Sequence, residues 1–378
     1  MDKTVLSTIL GVEVVNLKEK KLCSLWAGYG SICALSLECK QAAGMQLICK
    51  YVDPPSENGV AHERKVTSYI VESEFYRKYS QRCIDNGVNV PQLYHTSSNS
   101  SGKVTILMSD LRLRFSIPAS GLNWEKTTSA IDWLARFHAL HWGNPDATEK
   151  KLWPEGCYWR LDTRLDEFDS MGKKWNRLKN AARVIADLLR DGTDASTSVV
   201  PKFRTFVHGD FKSANLQFSS RTSVENASND AEKSVNGSVE SLFECAVVDF
   251  QYVGAGYGVR DLVMMFVSSF DMPRQYTAML QAESEMLRMY HIKLSDYIGQ
   301  FSANGVIPAA SQTYSLEQLT KHYELSLLDY VRFMAGWGMW GNTEYAEQRA
   351  MELLQKIDAG ECLSPAEYDI AVRVVYAT

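Results

Sequence analysis

The sequence predicts an α+β fold in two lobes. The smaller lobe, residues 1–110, is an antiparallel sheet plus a helix, and the larger lobe, residues 111–378, is mainly helical. Three observations carry this. The chain has 378 residues, more than one small core needs. Its first third is rich in short apolar runs separated by turn residues. Beyond residue 111 the apolar residues recur mostly at helical spacing.

The elements follow in order. KLCSLW (21–26), SICALSLEC (31–39) and MQLICKYV (45–52) read as strands, joined by a corner holding Gly28 and Gly30 and by a Gln-Ala-Ala-Gly turn. RKVTSYIVESEFYRKYSQRCI (64–84) reads as a helix, and VTILMSDL (104–111) as a further strand after a segment bounded by Pro91. Helical periodicity then runs through 125–142, 162–191, 258–292, 315–338 and 344–357. Strands return only near 203–207, 215–218 and 243–250. Between the last two lies SRTSVENASNDAEKSVNGSVES (220–241), which is serine-rich and has no aromatic residue. It cannot bury enough apolar surface to offset its ordering entropy and reads as a disordered insertion.

Composition excludes several classes. A formal net charge of −5 and a pI near 5.9 argue against a nucleic-acid partner or a polybasic membrane contact. No stretch reaches the roughly 18 apolar residues of a membrane-spanning helix. The N-terminal residues lack the basic segment and small-residue cleavage site of a secretion signal, so a cytoplasmic location is expected. The eight cysteines form no C-x-x-C pair and are expected to be reduced, buried and structural. His138 and His141 stand three apart on a helix but lack companion ligands for zinc.

Two stretches are different in kind. VHGDFKSANLQF (207–218) carries Asp210, Lys212 and Asn215, and FECAVVDF (243–250) ends a buried apolar run on Asp249. A carboxylate at the end of a buried strand is poorly hydrated unless a positive group meets it. Removing the insertion leaves a compact hairpin between Asn215 and Asp249, so the two polar elements can converge. Two carboxylates and an amide oxygen are hard ligands, suited to Mg²⁺ with phosphate oxygens completing its shell.

These residues resemble a known family. H-G-D-x-x-x-x-N followed by an apolar strand and Asp-Phe is similar to the catalytic signature of kinases with the protein-kinase-like fold. The HGD form resembles the small-molecule branch: aminoglycoside phosphotransferases, choline kinases and, most of all, ecdysteroid-kinase-like (CHK kinase-like) proteins. SYIVESEFYRKY (68–79), WLARFHALHWG (133–143), GCYWRLDTRLDEF (156–168) and VVDFQ (247–251) look like that group too. The likeness covers roughly residues 20–340.

The resemblance implies an ATP-dependent transfer of phosphate to a hydroxyl of a small molecule. It makes Asp210 the base, and Asn215 and Asp249 the Mg²⁺ ligands. It makes Lys50 the lysine that grips the ATP phosphates. A helical glutamate should pair with Lys50, and periodicity favours Glu72, which shares a face with Tyr69, Tyr76 and Tyr79, over Glu74, which lies beside Arg77 and Lys78. Gly28 and Gly30 form an incomplete G-x-G-x-x-G, read either as a phosphate cover or as a plain hairpin turn. Met108, Ser109 and Leu111 fall where the family reads adenine by backbone; Ser109 replaces an acid common there. Lys212 either steadies the γ-phosphate or is a solvated loop lysine. Asp261 reads as a helix-terminal acid bracing the catalytic loop. The stretch from Asp249 to Asp261 is too short for the activation segment of a protein kinase. Alternatives are a choline- or ethanolamine-type kinase and a catalytically inactive ATP-binding pseudokinase. For the acceptor, residues 322–341 offer aromatic side chains with Asp329, either a cage for a cationic substrate or plain helical core. Oligomeric state is not indicated.

Overall fold

The computed structural model describes residues 1–40, 43–56, 59–99, 101–143, 151–192, 202–220, 242–271, 275–309 and 313–376. Helix α1 (Lys3–Leu10) opens the chain, with the Asp2 carboxylate accepting from Val5 N at its N-terminus. Strands β1 (Val14–Ser24), β2 (Gly30–Cys39) and β3 (Met45–Val52) follow, then helix α2 (Val60–Asp85), then strands β4 (Leu93–Ser98) and β5 (Val104–Ser109). The five strands form one antiparallel sheet in the order β1-β2-β3-β5-β4.

Alternation along β3 gives the sheet two different faces. Leu47 and Cys49 pack with Leu6 of α1, Leu35 and Leu107 in one small core. Ile48, Lys50 and Val52 point the other way, toward α2 and the rest of the molecule. Helix α2 lies across that face and presents Tyr69, Glu72, Phe75, Tyr76 and Tyr79, all buried.

The remainder is mainly helical. Strand β6 (Ile117–Pro118) is followed by α3 (Trp124–Leu140), α4 (Leu165–Asp169) and α5 (Asn176–Asp191). Then come β7 (Thr205–Val207), β8 (Leu216–Ser220), β9 (Phe243–Val247), β10 (Gly254–Gly256) and α6 (Val259–Ser269). Four helices close the chain: α7 (Tyr276–Ala303), α8 (Leu316–Trp337), α9 (Thr343–Asp358) and α10 (Pro365–Tyr376). Strands β8 and β9 pair from Leu216↔Val247 to Ser220↔Phe243. Ser220 therefore belongs to a strand, and the rest of the expected insertion, 221–241, lies outside the described residues.

Several expectations need correction. The span 162–191 is not one helix: Gly172 takes an extended ψ of 160° and separates α4 from α5. The span 258–292 divides where Phe270 leaves the helix with ψ of 124°. Helix α8 ends at Gly338, whose φ of 141° no helix continues, so Trp340 lies beyond it. The cysteines are all unpaired, but Cys23 and Cys362 are exposed rather than buried. Among the described residues, no helix is long and apolar enough to cross a membrane.

Candidate active site

The face of β3 turned toward α2 delivers Lys50, and the buried face of α2 delivers the acid opposite it. The Lys50 ammonium donates to Glu72 Oε2 at 2.6 Å. Helical spacing decides this choice: Glu74 instead turns outward to Arg77 and Lys78. Lys50 Nζ also donates to Asp249 Oδ1 at 2.9 Å, across 199 positions of sequence. One buried cation thus ties the sheet and α2 to the segment after β9.

Burial works against the charge on all three groups, and their mutual attraction decides the outcome. Lys50 is held protonated by Asp249 and Glu72. Burial also opposes charge on Asp249, but Lys50 and a hydrogen bond from Gln251 outweigh it and bring the carboxyl down to about 2. For Glu72 burial prevails over Lys50, and its carboxyl is pushed up to about 7.

A carboxyl lowered in the fold stabilises it above the unfolded-state value, and that contribution is lost as pH falls through the folded value. The ordinary value is 3.8 and the folded one about 2, so the loss falls between them. Urea unfolding of Asp249→Asn is expected to depend less steeply on pH than wild type below about pH 4. Equal slopes would mean that Asp249 is not the ionised partner of Lys50.

Asp210 and Asn215 occupy the loop between β7 and β8. Asn215 Nδ2 donates to the Asp210 carbonyl at 2.8 Å and reaches Asp210 Oδ2 at 3.3 Å. Lys212 Nζ lies 3.0 Å from Asp210 Oδ1, with its side chain 40% exposed. Lys212 is therefore paired with the acid beside it, not simply solvated. Burial raises the Asp210 carboxyl, and Lys212 counteracts part of that rise. Asp249 stands just beyond β9 with a positive φ of 70°, a conformation that a residue other than glycine adopts at a cost. Backbone links hold the two segments together: Val248 N donates to Asn215 O at 3.1 Å.

Asp261, in the first turn of α6, braces the loop. Its carboxylate accepts from His208 N at 2.7 Å and Gly209 N at 2.9 Å, and lies 3.1 Å from His138 Nε2. The turn at this brace needs glycine: Gly209 has a φ of 82°, and a Cβ there would stand 2.2 Å from the Tyr252 carbonyl oxygen. His138, considered above only as a metal ligand, belongs to this brace.

Two regions of the expected site are explained by the fold itself. Gly28 and Gly30 lie in the β1–β2 turn, where Gly30 (φ 134°) passes so close to β3 that a Cβ would lie 2.0 Å from Tyr51 O. That explains Gly30 by packing, while Gly28 faces open space. Met108 and Ser109 end β5 and Leu111 begins a short 3₁₀ turn capped by Asp110. The Ser109 N–H donates to Gln92 O at 2.9 Å and so is engaged within the fold.

Sequence reading missed Gln251. Its Nε2 donates to Asp249 Oδ1 at 2.5 Å, while its Oε1 accepts from Lys65 at 3.1 Å and Ser68 at 3.0 Å. The available signal was a polar side chain two residues beyond Asp249 in an otherwise apolar stretch. Among the described residues, no three His, Cys, Asp or Glu side chains cluster as a metal site.

No protein-family model and no curated protein sequence matches this chain. Solved structures align with nearly all of it. Amicoumacin kinase, in complex with AMP-PNP, Ca²⁺ and Ami, is 10% identical over 94% of this chain and 94% of its own, with a TM-score of 0.49. A choline kinase from Cryptosporidium parvum is 12% identical over 94% of this chain and 93% of its own, with a TM-score of 0.47. An aminoglycoside phosphotransferase from Streptomyces rimosus is 13% identical over 90% of this chain and all of its own (100%), with a TM-score of 0.40.

Proposed function

We propose that the chain is an ATP-dependent phosphotransferase that moves the γ-phosphate of ATP to a hydroxyl of a small molecule. The observation that supports this reading most is the convergence of Lys50, Glu72 and Asp249, from three distant segments, beside the loop carrying Asp210 and Asn215. An inert binding module has no need of two acids and an amide held close together beside an oriented lysine.

The residues fit a magnesium nucleotide. Asp249 is held ionised by Lys50 and is partly exposed, and Asn215 lies next to Asp210. Two protein ligands without a third suit a hard cation that completes its shell with phosphate oxygens. When bound, Mg²⁺ would neutralise charge on the phosphates. Lys50, held by Glu72, orients the phosphates; the turn at Gly28–Gly30 covers them; the backbone of Met108–Leu111, Ser109 N–H excepted, meets adenine. Asp210 accepts the proton of the attacking hydroxyl. Its raised carboxyl makes it a better base than an exposed aspartate would be. Lys212, released from Asp210, would meet charge on the transferred group.

The Lys212 assignment is tested by calorimetry with ATP and ADP. Lys212→Met is expected to reduce the preference for ATP over ADP, because only ATP carries the group that the ammonium would touch. An unchanged preference would count against a γ-phosphate contact. Nucleotide binding should require Mg²⁺ or Mn²⁺, and ATP consumption should appear with one member of a panel of sterols, amino alcohols and sugars. ATP binding without turnover of any acceptor would favour the pseudokinase alternative.

A further inference from the structure

The wall beside Asp210 is aromatic, and its chemistry bears on the acceptor. The Tyr158 amide donates to the Gly209 carbonyl at 3.3 Å, which docks this residue on the catalytic loop. Its ring lies 5.6 Å from that of Tyr252 and 5.3 Å, edge-on, from that of Phe333. Burial pushes the Tyr158 and Tyr252 phenols up, with the Asp210 carboxylate among the further causes, so both rings lie within its electrostatic reach. Tyr158 and Tyr252 are half-buried and Trp337 is exposed, so the wall is open on one side.

Such a wall with an acid is what a cationic head group needs. Here both parts are already engaged. The Arg164 guanidinium stands 5.5 Å from the centre of the Tyr158 ring, 5.4 Å from Phe333 and 5.4 Å from Trp337. It is fixed there by Nε donating to Tyr158 O at 2.8 Å and by Glu167 Oε1 at 3.1 Å. Asp329, the acid among the aromatics of α8, is buried with Oδ2 3.1 Å from Arg260 and Oδ1 2.8 Å from Arg332, so both its oxygens already face an arginine. Arg64, whose guanidinium donates to Thr163 O, adds a second positive charge close enough to repel Arg164.

We infer that Arg164 fills the cation position of this wall from within, so that the acceptor hydroxyl comes on a molecule without a cationic head group. The inference rests on the phosphotransferase reading for the identity of the site. It runs against the choline- or ethanolamine-type alternative, because a second cation would meet rings already covered and two arginines.

Choline and its uncharged isostere 3,3-dimethylbutan-1-ol differ in little besides charge. Saturation-transfer NMR titrations of both, on the full chain with ADP, test the inference. Wild type is expected to bind the isostere about tenfold more tightly than choline, because Arg164 and Arg64 repel the choline ammonium and leave the neutral head group unopposed. Arg164→Met vacates the ring faces and is expected to strengthen choline binding roughly tenfold. Choline binding as tight as the isostere in wild type, or binding of neither, overturns the inference. So does unchanged choline affinity in an Arg164→Met protein that retains its Tm. If that variant does not fold, the wild-type comparison decides alone. ATP affinity is measured by calorimetry on the same samples. Failure of wild type to bind ATP would remove the phosphotransferase reading, whereas a choline preference with ATP binding intact would remove only this inference.

Discussion

Asp210→Asn is expected to lower kcat by roughly 10²–10⁴-fold while ATP affinity barely changes. The carboxamide keeps the size of the side chain and can still accept from Asn215 Nδ2, which now lies 3.3 Å from Asp210 Oδ2. What it loses is the capacity to take a proton from the acceptor hydroxyl. Because burial raises the Asp210 carboxyl, wild-type kcat should also fall on the acid side at a higher pH than an exposed aspartate would give, and Asp210→Asn should lack that limb. The measurement is steady-state turnover with an acceptor from the panel, alongside calorimetry with ATP. A collapse of ATP affinity in Asp210→Asn would reassign the residue to metal binding or to structure.

Lys50→Met should raise the KM for ATP, lower kcat and destabilise the fold together. Lys50 is 3% exposed and Glu72 1%, so removing the ammonium strands a buried carboxylate. Breaking such a pair costs about 3–5 kcal/mol when the remaining charge stays ionised. Glu72 can escape part of that by protonating, since its carboxyl already sits near 7. The double variant Lys50→Met/Glu72→Gln separates the two roles. It should recover much of the stability seen in urea unfolding but none of the ATP affinity. Unchanged ATP kinetics in Lys50→Met would remove Lys50 from the site.

The parts of the site that a short window contains were legible in the sequence. Asp210, Lys212 and Asn215 lie within six positions, and the preference for Glu72 over Glu74 follows from which residues share a helical face. Asp261 as a brace was legible from its place at the start of α6. Strand β4 was not, because its half-buried YHTSS pattern at the edge of the sheet lacks alternation. Helix α10 was also passed over, although Ser364–Pro365 is a sound start signal. The aromatic wall could not be read at all. Tyr158 and Arg164 share one short segment, but Tyr252, Phe333 and Trp337 come from others, and only tertiary packing assembles the rings around Arg164. Asp329 looked available because it is an acid among aromatics; its two arginine partners lie on other turns and helices.

Phe250, the neighbour of Asp249, has its ring stacked on that of Phe75 at 3.9 Å with an interplanar angle of 11°. Phe75 belongs to α2, the helix that carries Glu72. Asp249 and the helix that carries Glu72 are therefore joined twice, once by charge through Lys50 and once by an apolar contact that neither salt nor protonation weakens. A motion that widens the cleft must either part these two rings or turn about them. Turning keeps the stacked area out of water, so parting the rings is the costlier motion and Asp249 is expected to move with α2.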